Sequence, residues 1–279
     1  MTSSAPVRTE PLRLSVFESI SACWELCVLS VGRLCQAGRL IVVAFLFALP
    51  VAFALLARYY DANVQSDEIE FALVFMFIPH ALIPLAALVF AAGMVQDEVE
   101  EQTLTYLLVR PIPRWFIYLG KLLATVAVSA LLVNLFLAAT LAVTYWGSEN
   151  FWGEVMPGRF LRAAGALDLA LLAYCSLFGC MGLIVKRTLV LGVAYILIFE
   201  GLIANIPFLV REATVMYYFR LLSMRWLELP APEWSIKLSE SYEALTCVLV
   251  LCGTSLVATV LAMVVFSTRE FRLKTPEGS

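Results

Sequence analysis

Residues 122–145 read LLATVAVSALLVNLFLAATLAVTY, a stretch without one charged side chain. It is too long and too uniformly apolar for a buried core helix. It matches the roughly 20 residues an α-helix needs to cross a hydrocarbon layer about 30 Å thick. Lipid offers the backbone no hydrogen-bond partner, so such a run must close its own bonds as a helix. Five further stretches are alike, free or nearly free of charge: 40–57, 71–95, 163–185, 189–209 and 244–267. None alternates with a period of two, which disfavours a membrane barrel. Composition agrees. The chain has 279 residues, 62% hydrophobic and 15% charged, against about 45–50% and about 25% in ordinary globular chains. The fold class expected is an all-α integral membrane protein with six transmembrane helices. Residues 1–279 form a single membrane domain, without an internal repeat or a second soluble domain.

Residues 12–36 precede the first span and are amphipathic. Leu12, Val16, Phe17, Ile20, Cys23, Trp24, Cys27, Val31 and Leu34 share one face at helical spacing, which suits an interfacial helix lying along the membrane. Residues 1–11 are polar and no cleavable signal peptide is visible, so the first span is expected to stay as an anchor. Six spans put both termini on one side. Twelve of the Lys and Arg residues lie there, close to the span ends, and seven lie opposite, so both termini are expected in the cytoplasm. The outer connections are then 58–70, 146–162 and the long 210–243. The net charge of −3, without a basic run, excludes nucleic-acid binding. The seven cysteines lie in apolar or amphipathic segments without a CxxC pair and read as small hydrophobes packed in helices.

The segment between the second and third spans carries the chemistry. Residues 96–121, QDEVEEQTLTYLLVRPIPRWFIYLGK, open on an acidic cluster, Asp97, Glu98, Glu100 and Glu101. Thr103 begins an amphipathic turn with Leu104, Leu107 and Leu108 on one face. Pro111 and Pro113 stop it. Arg114 and Lys121 bracket the return to the membrane, with Trp115 and Tyr118 as interfacial aromatics. The order Glu98, Glu100, Thr103, Leu107–Leu108, Pro111–Ile112, Arg114, Gly120–Lys121 resembles the signature of ATP-binding-cassette permeases of the type-two exporter family. Those proteins carry it between their second and third spans. Two positions depart from the pattern: Gln102 stands where the family has Gly before Thr103, and Pro113 replaces a small polar residue.

The resemblance implies a cytoplasmic coupling helix within 96–121 that docks into a cleft of a separate ATPase subunit. Glu98, Glu100, Glu101, Thr103 and Arg114 would contact that cleft or support the loop. Leu104 and Leu107 would fill its apolar floor, and Pro111 would end the helix. It further implies a second copy of the chain or a homologous permease, a bilayer, and a multi-pass location in the cell (bacterial inner or plasma) membrane. No G-x-x-x-x-G-K-[ST] loop occurs, since Gly120–Lys121 is followed by Leu122. ATP and Mg are therefore expected only in the partner, with no cofactor in this chain. An H-E-x-x-H or G-x-S-x-G motif is also absent, so a membrane enzyme is disfavoured. An alternative from another class is a mechanical or scaffold subunit that relays ATPase motion to an extracytoplasmic partner and transports nothing.

Ionisable groups at membrane depth usually face the bundle interior or a watery cavity. Glu200 falls near the middle of the fifth span. It reads as a polar contact on a central path, as an inter-subunit hydrogen bond, or as a protonated or paired structural carboxyl. Asp168 in the fourth span is expected to pair with Arg162, and Asn134 in the third is a further path or interface candidate. His80, beside Pro79, suits a structural hydrogen bond near a kink. No cluster suggests a metal site. In the outer loop, 215–229 reads as a surface helix whose aromatics, Tyr217, Tyr218, Phe219 and Trp226, dip into the headgroups, either as an anchoring belt or as a docking surface.

Overall fold

Helices are the only open segments able to satisfy their own backbone in lipid, and every regular element described in this chain is helical. The computed structural model describes residues 31–32, 38–60, 65–100, 113–147, 151–185, 187–205, 209–229, 234, 236 and 242–268. Helix α1 is Gly38–Tyr60. Helix α2 runs continuously through Ser66–Glu70, Phe71–Leu82 and Ile83–Glu100, the middle part wound in wider π-type turns around Pro79. A widened turn accommodates a proline that has no N–H to give to the helix ladder. Helix α3 is Arg114–Thr144, and α4 comprises Phe151–Phe160 and Leu161–Ile184. Helix α5 comprises Thr188–Tyr195 and Ile196–Leu202, ending in the tight turn Ile203–Asn205. Helix α6 is Val215–Leu227 and α7 is Ala244–Thr268.

Among the described residues five helices are long and apolar enough to cross a membrane: Gly38–Tyr60, Ser66–Met94, Arg114–Thr144, Pro157–Ile184 and Ala244–Thr268. They fall on five of the six expected spans, each agreeing at one end to within two residues, while Ser66, Arg114 and Pro157 begin their helices about five, eight and six residues earlier than expected. The expected span 189–209 is the exception. Its apolar helix is only Thr188–Leu202, about 22 Å at 1.5 Å per residue. The expected interfacial helix 12–36 lies outside the described residues apart from Val31 and Gly32, which are helical.

Cross-contacts fix the helix directions. Arg58 of α1 meets Thr144 of α3, and Phe47 stacks on Phe136 at 6.2 Å, so α1 and α3 run parallel. Ser176 of α4 bonds Thr259 of α7 at 3.3 Å. Tyr118 of α3 reaches both Gly179 of α4 and Phe266 of α7. Helices α4 and α7 therefore run parallel, and α3 runs against both. Helix α4 is the hub, packed against α2, α3, α6 and α7. In its contact with α2, Gly182 meets Ala92 and Gly179 meets Met94, and both helices bury further small residues, Ala86, Ala87 and Ala91 on α2 and Ala170 and Ala173 on α4. Small side chains let membrane helices approach closely, which matters because lipid supplies no hydrophobic drive between them. A Cβ on Gly182 would stand 2.8 Å from the Ala92 carbonyl oxygen. Large apolar side chains point outward from α1 (Ile41, Phe45), α5 (Leu189, Leu197) and α7 (Leu249, Leu256, Leu261).

Helix α6 corrects one expectation. Its extent is close to the expected 215–229, but it is not a surface helix. Val215, Met216, Tyr217, Phe219, Leu221, Leu222 and Leu227 are buried, and the helix sits between α4 and α7. A helix apolar around most of its circumference belongs inside. Thr214 caps its start by accepting the Tyr217 N–H at 3.3 Å. At its far end the Trp226 ring lies 3.2 Å from where a Gly165 Cβ would be.

Gly182→Ala should lower the thermal midpoint in detergent, at a cost of about 1–3 kcal/mol from overpacking against backbone. Gly253, with nothing within 4 Å of its notional Cβ, serves as the comparison. Gly253→Ala should leave stability unchanged or raise it by up to about 1 kcal/mol. Equal effects at the two positions would contradict the α2–α4 packing.

Candidate functional site

At the end that leads into 96–121, α2 continues as helix past its apolar run to Glu100. Asp97, Glu98 and Glu100 thus extend the second span rather than open a separate helix. Glu101, Thr103, Leu104, Leu107 and Pro111 lie outside the described residues. Pro113 precedes the first turn of α3, and Arg114, its first residue, is exposed. Below these ends the stems of α2 and α3 interlock. Lys121 is 2% exposed, and its Nζ donates to the Met94 carbonyl at 3.4 Å. Thr125 Oγ1 points at Met94 Sδ across 3.9 Å. Tyr118 is fully buried against Gly179 and Phe266.

Deep in the bundle, Glu200 is 1% exposed. One carboxylate oxygen accepts the Met216 backbone N–H at 3.3 Å, and the Tyr195 hydroxyl donates to the other at 3.5 Å. The carboxylate therefore sits at the start of α6, where the helix dipole favours negative charge. Tyr174 and Arg220 stand within electrostatic reach. Arg220 donates to the Ala204 carbonyl at 3.2 Å and to His80 Nε2, and lies over the Trp234 ring at 5.9 Å. Arginine can only donate, so His80 accepts through Nε2 and is the neutral Nδ1–H tautomer. His80 thus has the structural hydrogen bond expected of it, made to a helix far along the chain.

Asn134 and Asp168, expected as separate candidates, come together. The Asn134 amide donates to both Asp168 oxygens at 3.1 and 3.0 Å, and also to the Ala130 carbonyl at 2.8 Å. Both residues are half-buried. Arg162, the partner expected for Asp168, donates instead to the Trp226 carbonyl at 3.0 Å and so ties the end of α6 to α4.

One charged cluster escaped the sequence reading. At the opposite end of the bundle from the loop, Arg159 of α4 binds Asp67 at 2.7 Å and Glu70 at 2.8 Å. The Tyr145 hydroxyl joins Asp67 at 2.9 Å and also contacts Glu70 and Arg159. Nearby, Arg58 bonds Ser66 and the Thr144 carbonyl. The ends of α1, α2, α3 and α4 are thereby fastened together. Burial, reinforced by Glu70, raises the Tyr145 phenol above its ordinary value, so it stays protonated as a donor. The only sequence signal was the presence of opposite charges in two connections expected on the same side.

These features define a multi-pass helical membrane protein with charged groups gathered at both ends of one hub. A family model described as ABC-2 family transporter protein matches residues 35–271, and the chain belongs to that family. No curated protein matches the sequence. Membership makes the chain the membrane (permease) subunit of an ABC transporter, which works with an ABC ATPase partner in a membrane.

Arg159→Met leaves the 1% exposed Glu70 without its cation. The loss should be roughly 1–3 kcal/mol, between the values for exposed and buried pairs. Thermal unfolding of Arg159→Met and of Arg159→Met with Glu70→Gln should show the double variant recovering part of the loss. A single variant as stable as the wild type would contradict the cluster's role.

Proposed function

We propose that the chain is the permease subunit of an ATP-driven exporter of the cell membrane, coupled to a separate ATPase through the cytoplasmic loop 96–121. The observation that carries this reading is the helical extension of α2 to Glu100, which carries Asp97, Glu98 and Glu100 beyond the apolar span that ends at Met94. Such an acidic run suits a cationic groove on a partner. Glu98, Glu100, Glu101, Thr103 and Arg114 make or brace that contact, Leu104 and Leu107 fill its apolar floor, and Pro111 ends the coupling helix. ATP and Mg belong to the partner, and this chain is non-catalytic.

Six crossings with both termini in the cytoplasm fit best. Parallel α4 and α7 require the chain between them to return across the bilayer, and α5 with α6 supplies that return. Two permease copies then pack about a two-fold axis, and ATPase closure shifts the α2 and α3 stems to change access to the path. Glu200 serves within its own protomer as the anchor of α6. Asn134 and Asp168, half-buried at membrane depth, line the path or face the second copy. The mechanical-relay alternative drew on an exposed aromatic outer segment. With Tyr217 and Phe219 buried in the bundle, no observation favours it.

Combined Glu98→Lys, Glu100→Lys and Glu101→Lys should abolish co-purification with the ATPase in mild detergent, while the permease keeps its size-exclusion profile. Retained co-purification with coupled hydrolysis would refute the docking role. For orientation, Trp146→Cys should react with an impermeant maleimide from outside intact cells and Arg114→Cys only after permeabilisation. The reverse pattern would overturn the topology.

A further inference from the structure

Resting on the coupling role proposed above, we infer that Lys121 is a positioning residue that makes the two stems of the loop and the hub helices one rigid lever. Met94 and Lys121 flank the loop on α2 and α3. A handle works only if its two ends cannot slide past each other, and a buried cation on a backbone carbonyl provides that lock at 3.4 Å. Lys121 is 2% exposed, so water does not compete for the contact.

The lock is backed by close packing. A Cβ on Gly179 would come within 2.8 Å of the Tyr118 hydroxyl and 2.9 Å of Met94 Cε, and one on Gly182 would strike the Ala92 carbonyl. Helix α4 is therefore pressed against both stems at the level of Lys121. At the other end of the same three helices, Glu70, Tyr145 and Arg159 are joined. Helices α2, α3 and α4 are thus fastened together near both ends, and a push on the loop travels to the far face without being absorbed at the stems. A lysine at membrane depth is costly unless it has such a task.

The test places an environment-sensitive fluorescent amino acid at Trp115, beside the loop, or at Trp146, at the far end of α3. Emission is read in the permease–ATPase complex with and without a non-hydrolysable ATP analogue. In the wild type both positions should respond. In Lys121→Met the Trp115 response and the partner's hydrolysis should persist, while the Trp146 response falls at least fivefold. Lys121→Arg should restore it. Gly179→Ala, which wedges Tyr118 and Met94 away from α4, should give the same split and serves if Lys121→Met does not fold. A full Trp146 response in both Lys121→Met and Gly179→Ala would overturn the lever while leaving the coupling role intact. Loss of the Trp115 response in the wild-type complex would instead overturn the coupling role, and the lever with it.

Discussion

The close approach of α4 to α2 at Gly179 and Gly182 is the contact on which the rest of the molecule depends. Between lipid-embedded helices there is no hydrophobic gain to spend, so packing must come from shape. With only a hydrogen at Gly182, the α4 backbone comes down on the Ala92 carbonyl. That fixes the depth and rotation of α2 relative to α4. The same fit brings Tyr118, Lys121 and Phe266 into register at one end and Arg159, Glu70 and Tyr145 at the other. Helix α1 packs on α2 and α3, and α7 on α3, α4 and α6, each with one face, and both offer large apolar side chains outward.

Polar groups at depth follow from the same constraint. Glu70, His80, Lys121, Asp168 and Glu200 each find a protein partner. Glu200 takes the Met216 N–H in the first turn of α6, and Arg220 donates to the Ala204 carbonyl at the end of α5 and to the ring of His80. Together they satisfy backbone groups at the end of α5 and the start of α6 that lipid alone would leave unpaired. Helix α6 is thereby held inside the bundle, pinned at its start by Glu200 and at its end by Arg162.

Much of this was legible in the sequence where a single physical rule applied. Five spans followed from uninterrupted apolar length. The family emerged from the order of residues in 96–121, and the matching range 35–271 contains that segment. The fifth expected span stands apart because its apolar helix, Thr188–Leu202, is shorter than the apolar run 189–209 from which it was read. Asp168 was assigned to Arg162 from nearness along the chain. A separation of six places two residues on different helix faces, unlike three or four, and the true partner, Asn134, belongs to another helix. Helix α6 was recognised as a helix but assigned to the wrong environment, since its burial depends on Gly165, Glu200 and His80, none of them nearby in sequence. The Asp67–Glu70–Tyr145–Arg159 cluster joins three helices, and no periodicity reports such a junction.

Photocrosslinking from Leu107 asks most directly whether the segment between α2 and α3 is held by an ATP-hydrolysing partner. A photoreactive amino acid at Leu107, irradiated in intact cells, should yield a covalent adduct whose second component is a cassette ATPase, and one at Trp146 should not. An adduct with an extracytoplasmic protein at Leu107, or none with an ATPase under conditions where the two subunits co-purify, would contradict the coupling role.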